Sequence, residues 1–154
     1  MPRTVTLTLL FATALFVGAC GGDDAPTREE FAENASRICR EAEQSLEQLG
    51  EGAETPEEVS KVIDKGIKRT QQAADELSDL DRPEGEDGET AGTFVEGFEK
   101  QLNDKLVPAL EDLKQAIDDK DQQAVQQAAQ KLQGLENDAS DQAARKLGAT
   151  DCTG

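Results

Sequence analysis

From residue 28 onward, apolar residues recur at spacings of three and four, the period that lays one stripe along a helix. The first stripe is Phe31, Ala35, Ile38, Ala42, Ser45/Leu46 and Leu49, which predicts a helix from about Arg28 to Leu49. Thr27 and Glu30 have capping-box spacing, in which each side chain satisfies an amide that a helix start leaves unpaired. Gly50-Glu51-Gly52-Ala53-Glu54 reads as a turn. A second helix then opens with Thr55 as N-cap, Pro56 at the first helical position and Glu58 completing another capping box. Its stripe includes Val59, Val62/Ile63, Ile67, Ala73/Ala74, Leu77 and Leu80, with Gly66 and Thr70 forming a small-residue waist suited to a close neighbouring helix.

Asp81 to Glu89 mixes acidic residues with Pro83, Gly85 and Gly88 and reads as a charged, mobile loop. A third helix is predicted to begin near Thr90–Thr93 and to carry Phe94, Val95, Phe98, Leu102, Leu106, Leu110, Leu113 and Ile117. Pro108 lies inside that pattern. It removes one backbone donor, so the helix should kink around Asp104–Val107 or split in two. Asp121 can cap a fourth helix whose stripe runs Val125, Ala128/Ala129, Leu132, Leu135, Ala139, Ala143 and Leu147, with Gly148 at the C′ position. Four amphipathic helices on short connections predict an all-α fold, an antiparallel up-down-up-down four-helix bundle over residues 28–154.

The first 19 residues read differently. Arg3 supplies a short basic start and Val5 to Phe16 an apolar run, too short for a spanning helix of about 20 residues. The run ends in Val17-Gly18-Ala19-Cys20, which resembles a lipobox, the signature of bacterial lipoproteins. Lipid transfer needs a thiol at the membrane surface, and the following cleavage admits only small side chains before it. Residues 1–19 are therefore expected to be a signal peptide cut between Ala19 and Cys20, with lipid on Cys20 and residues 20–27 as a flexible tether. Tether and lipid together would hold the domain beside the bilayer, because several acyl chains are needed for lasting anchorage.

The lipid on Cys20 would leave Cys39 and Cys152, an even pair in an oxidising compartment, and a disulfide between them is expected. The proposed topology returns the chain end to the first helix, which agrees with that pairing. Net charge is −17, and removing residues 1–19 takes away Arg3 alone, leaving 15 basic against 33 acidic residues, or −18. That balance argues against nucleic acid as a partner, since its phosphates need a basic face. Adhesion of the protein surface to anionic lipid is disfavoured for the same reason. Cationic or apolar partners fit better.

Chemistry is sparse. The chain contains no histidine, so Cys–His metal and catalytic sites are excluded. Carboxylate pairs such as Asp79/Asp81 and Glu84/Glu86 sit among other charges, where solvation is favoured over the raised pKa that acid catalysis requires. The acidic loop lacks the spacing of an EF-hand. Lys105 and Glu136 are placed toward the apolar faces of their helices, as snorkelling residues are. Gln122, Gln123, Gln126, Gln127, Gln130 and Gln133 give the fourth helix a neutral polar strip.

The lipobox followed by Gly-Gly-Asp-Asp, the Ile38-Cys39-Arg40 early in the first helix and the Leu147-Gly148 to Cys152 ending resemble small helical lipoproteins of high-GC bacteria. That resemblance implies a location and no activity. The expectation is a non-enzymatic protein without cofactor or metal, lipid-anchored on the extracytoplasmic face of the cell membrane. Its role would be structural, or would lie in binding an envelope protein. The alternative is an extracytoplasmic small-molecule or cation-binding module, using the Pro108 kink or the acidic loop.

Overall fold

The computed structural model describes residues 25–135 and 138–153, and these are all-helical. The elements in chain order are α1 (Arg28–Gly50), α2 (Pro56–Ser78), α3 (Gly85–Gln101), a π segment (Leu102–Leu106), α4 (Val107–Asp118), α5 (Gln122–Gln133), α6 (Asp138–Leu147) and a 3-10 turn (Thr150–Cys152).

Both capping boxes form. Thr27 Oγ1 accepts from the Glu30 amide at 3.2 Å, and Glu30 Oε2 accepts from the Thr27 amide at 2.8 Å. Thr55 and Glu58 repeat the exchange at 3.3 and 3.0 Å. Asp121 opens α5 by accepting from the amides of Gln123 and Ala124, both at 3.0 Å. At the end of α6, Gly148 takes φ +95°, and the next amide, of Ala149, reaches back to the Ala144 carbonyl at 2.9 Å. A residue with a side chain rarely adopts that left-handed turn, which is why glycine ends the helix there.

Three features depart from the sequence reading. Gly85, expected inside a loop, starts α3, so Glu86 and Asp87 lie in a first helical turn, where negative charge meets the positive end of the helix dipole. The backbone lies tight here, because a Cβ on Gly88 would stand 2.1 Å from the Pro83 carbonyl oxygen. Secondly, the disruption expected at Pro108 takes the form of a π segment, with the Val107 amide bonded to the Leu102 carbonyl five residues back. Widening the helix accommodates a proline ring that would otherwise press on the preceding turn. Finally, the fourth helix is two helices: α5 ends at Gln133 with Gly134 as its C-cap, and α6 starts at Asp138. Glycine is among the poorest helix formers, so the break falls where continuation is weakly favoured.

The main core joins α1, the end of α2, α3, α6 and the chain end. Phe31, Ile38, Leu77, Phe94 and Val95 are each 2 % exposed or less. Phe31 meets Phe94 edge-on, with ring centroids 6.5 Å apart. Small residues fill the remaining space: Ala35, Ala91, Ala144 and Ala149 are fully buried. The waist at Gly66 also works as its size suggests, since Leu46 of α1 lies across it, 3.4 Å from where a Cβ would stand.

Packing partners differ along the molecule. Around the main core, α1 packs on α2, α2 on α3, α3 on α6 and α6 on α1, so the contacts close on themselves. Beyond the π segment, α1 packs on α2, α2 on α4 and α4 on α5, but among the described residues α5 makes no comparable contact with α1.

Candidate functional site

The chain end is fixed to α1 by two neighbouring links. Cys39 and Cys152 form a disulfide, with Cα atoms 5.2 Å apart across a sequence separation of 113. Arg40 and Asp151, the adjacent residues, form an ion pair. The Cys152 sulfur also rests 3.3 Å from the Ala35 carbonyl oxygen. As the sulfur carries no proton in the disulfide, this is packing and not a donated bond. The expected pairing of Cys39 with Cys152 is therefore present. Both thiols are committed to it.

Cys20, Ala19 and the rest of the expected signal peptide lie outside the described residues, as does Glu136. Lys105, expected toward an apolar face, is exposed on the π segment, where the extra residue in the turn rotates the register. Asp79, Asp81, Glu84 and Glu86 are all exposed, outside any apolar pocket. Glu86 is instead engaged by Lys146 of α6 at 2.7 Å. That hydrogen bond, and then the charge, hold Glu86 below its usual range and Lys146 above its own. All six glutamines singled out on α5 are exposed.

Further links between helices join residues distant in sequence. The Lys114 ammonium donates to both carboxylate oxygens of Asp64, at 2.6 and 2.8 Å, tying α4 to α2. The bond to Asp64 raises the Lys114 pKa; desolvation opposes it, and the charges of Asp64, Asp118 and Glu111 add to it. Ser60 donates to Asp118 at 2.7 Å across the same pair of helices. Lys131 of α5 meets Asp112 of α4 at 2.8 Å. No local pattern announces such pairs, because each is made by the packing that brings its partners together.

Surface grooves of about 430 to 560 Å³ lie between helices and are open to solvent. One, between α2 and α4, is walled by Asp64, Glu111, Asp118 and Asp119 over Ile67. Another, with the more apolar lining, is formed by Pro56, Ile117, Lys120 and Val125 at the tip of α2, α4 and α5. None of these four grooves draws on the π segment or Pro108. Among the described residues, no group of three or more carboxylate or cysteine side chains is arranged to hold a metal ion. Nor, among them, is any helix long and apolar enough to cross a membrane. No protein-family model, curated protein or solved structure matches the chain.

Proposed function

We propose that the chain is a membrane-anchored extracytoplasmic lipoprotein, cut between Ala19 and Cys20 and held by lipid on Cys20. Its role is non-catalytic: structural, or in binding a protein of the cell envelope. The observation that carries the reading is Val17-Gly18-Ala19-Cys20 placed eight residues before the start of α1. Such spacing suits an anchor followed by a short tether and a folded domain. The Cys39–Cys152 disulfide supports the same reading, because structural disulfides persist in oxidising compartments. On this reading α1 and α2 are the first two members of an antiparallel up-down-up-down four-helix bundle. The third member is α3 continued through the π segment into α4, and the fourth is α5 with α6.

The absence of histidine and the commitment of Cys39 and Cys152 to each other support a non-enzymatic role. A packed core with open, shallow grooves supports a surface that meets macromolecules over one that encloses a small molecule. The test is the intact mass of the protein extracted from its own membranes, with and without reductant. The expected species starts at Cys20, carries a diacylglyceryl group and gains two hydrogens on reduction. A chain that is uncut at Ala19, or cut and unacylated, would overturn the anchor.

A further inference from the structure

Among the described residues, the helix packing closes at one end and stays open at the other. Around the main core the helix contacts return to α1, but beyond the π segment α1 and α5 are the two edges of a row that does not close. The consequence is visible side chain by side chain. Phe31, Ile38, Leu77, Phe94 and Val95 of the closed end are fully buried, with Leu80 and Phe98 partly so, whereas Leu49, Leu110, Leu113, Val125 and Leu132 are half-buried and Leu46 is 38 % exposed. These residues belong to helical stripes whose period predicts burial, yet among the described residues no further helix completes it.

The rim of this end carries charge of one sign along the α1–α2 hairpin. Between Glu41 and Ser60 the chain has seven glutamates and no basic residue, and all seven are exposed. The end of α4 adds Asp118 and Asp119. A second copy of this chain would bring like charge against like, so self-pairing is disfavoured. Incompletely buried apolar side chains on helices whose exposed residues include this run of carboxylates are the complement of a helix with an apolar face and basic flanks.

We propose that the open end, between α1 and α5, docks a basic amphipathic helix of another protein. This deepens the reading of the chain as an envelope interaction protein and rests on it for the setting, but not for the chemistry. The incoming helix would cover the half-exposed leucines, and its lysines or arginines would meet the glutamates of α1 and the turn after it. The exposed glutamines of α5 would border the other side with neutral donors and acceptors.

The test uses the chain from Cys20 onward with the disulfide intact, titrated with a labelled synthetic helix whose leucines lie on one face and lysines on the other. A peptide of identical composition, with the face scrambled, serves as the control. Fluorescence anisotropy should show the amphipathic peptide binding at least about tenfold more tightly than the scrambled one. Leu46→Ser should weaken the amphipathic peptide by about tenfold, and the exposed triple change Glu43→Gln, Glu47→Gln, Glu51→Gln should do the same while flattening the salt dependence. Circular dichroism confirms that each variant keeps its helices, and the charge variant, altered only at exposed positions, guards against a folding failure of Leu46→Ser. Equal binding of both peptides, or binding indifferent to both variants, would overturn the docking site. The membrane extract reports separately on the anchor, so either reading can fail without the other.

Discussion

The Ser140 hydroxyl of α6 donates to the Phe94 carbonyl oxygen of α3 at 2.9 Å, with Ser140 only 2 % exposed. The bond is possible because the two helices come close where α3 carries Gly97: a Cβ there would stand 3.0 Å from the Ser140 Cβ. Buried hydroxyls must be paired, and this one finds its acceptor on another helix.

Replacing Gly97 by Leu should therefore force α3 and α6 apart. Overpacking of this kind costs about 1–3 kcal/mol, and the thermal midpoint should fall accordingly. Ser140→Ala removes the hydroxyl and its bond together and should cost less, about 1 kcal/mol. A Gly97→Leu protein as stable as the parent would show that the α3–α6 contact is looser than this geometry.

Two turn positions should respond in opposite directions. Gly88→Ala would drive a Cβ into the Pro83 carbonyl and should destabilise the start of α3, by about 1–3 kcal/mol. Lys120 is the only residue other than glycine with positive φ among those described, at 57°, and it closes α4 through the Asp121 amide bonded to the Ala116 carbonyl. Lys120→Gly relieves that backbone cost and should stabilise by about 0.5–1 kcal/mol. Urea midpoints at constant slope would check both.

Loss of the disulfide should be the largest single effect. With a loop of 113 residues closed, the double change Cys39→Ser, Cys152→Ser is expected to cost about 2–5 kcal/mol. The neighbouring Arg40–Asp151 pair cannot compensate, because exposed ion pairs contribute at most about 1 kcal/mol. Calorimetry of the oxidised, reduced and double-variant proteins should give one high and two similar lower midpoints.

The capping boxes predict a pH dependence. Backbone and side-chain bonds from Thr27 lower the Glu30 pKa from the usual 4.5, and the Thr55 side chain and backbone do the same for Glu58. A carboxyl lowered on folding contributes stability above its unfolded value, which is lost as pH falls through the folded one. Lys114 and Lys146 behave oppositely: raised from 10.5, they contribute fully below that value and lose it as pH climbs through the folded one. From these groups stability should be flat between about pH 5 and 10 and decline on both sides. Thr27→Ala should cost about 1 kcal/mol and return Glu30 toward its usual titration, as carboxyl chemical shifts would report.

How much was legible depended on the range of the interaction. Thr27, Thr55, Asp121 and Gly148 act on amides and carbonyls a few residues away, so residue type and spacing foretold their roles. Counting cysteines pairs Cys39 with Cys152 only on the expectation that Cys20 carries lipid; the bridge itself is present in the structure. Pro108 marked where the third helix would be disturbed. Residue type alone, however, left a kink and a split open there, and the structure relieves the proline by a π segment instead.

The sequence by itself determined that this protein is helical and where three of its helices are capped; the Cys39–Cys152 bridge was an expectation that the structure met. Only tertiary structure decided that Gly85 begins a helix, that the last stripe breaks at Gly134, and that Lys114 and Lys146 find Asp64 and Glu86. It also decided that, among the described residues, one end closes and the other stays open. Caps and stripes are set by neighbours within one or two turns, whereas helix starts, breaks and unpaired faces are set by which other helix arrives to bury them.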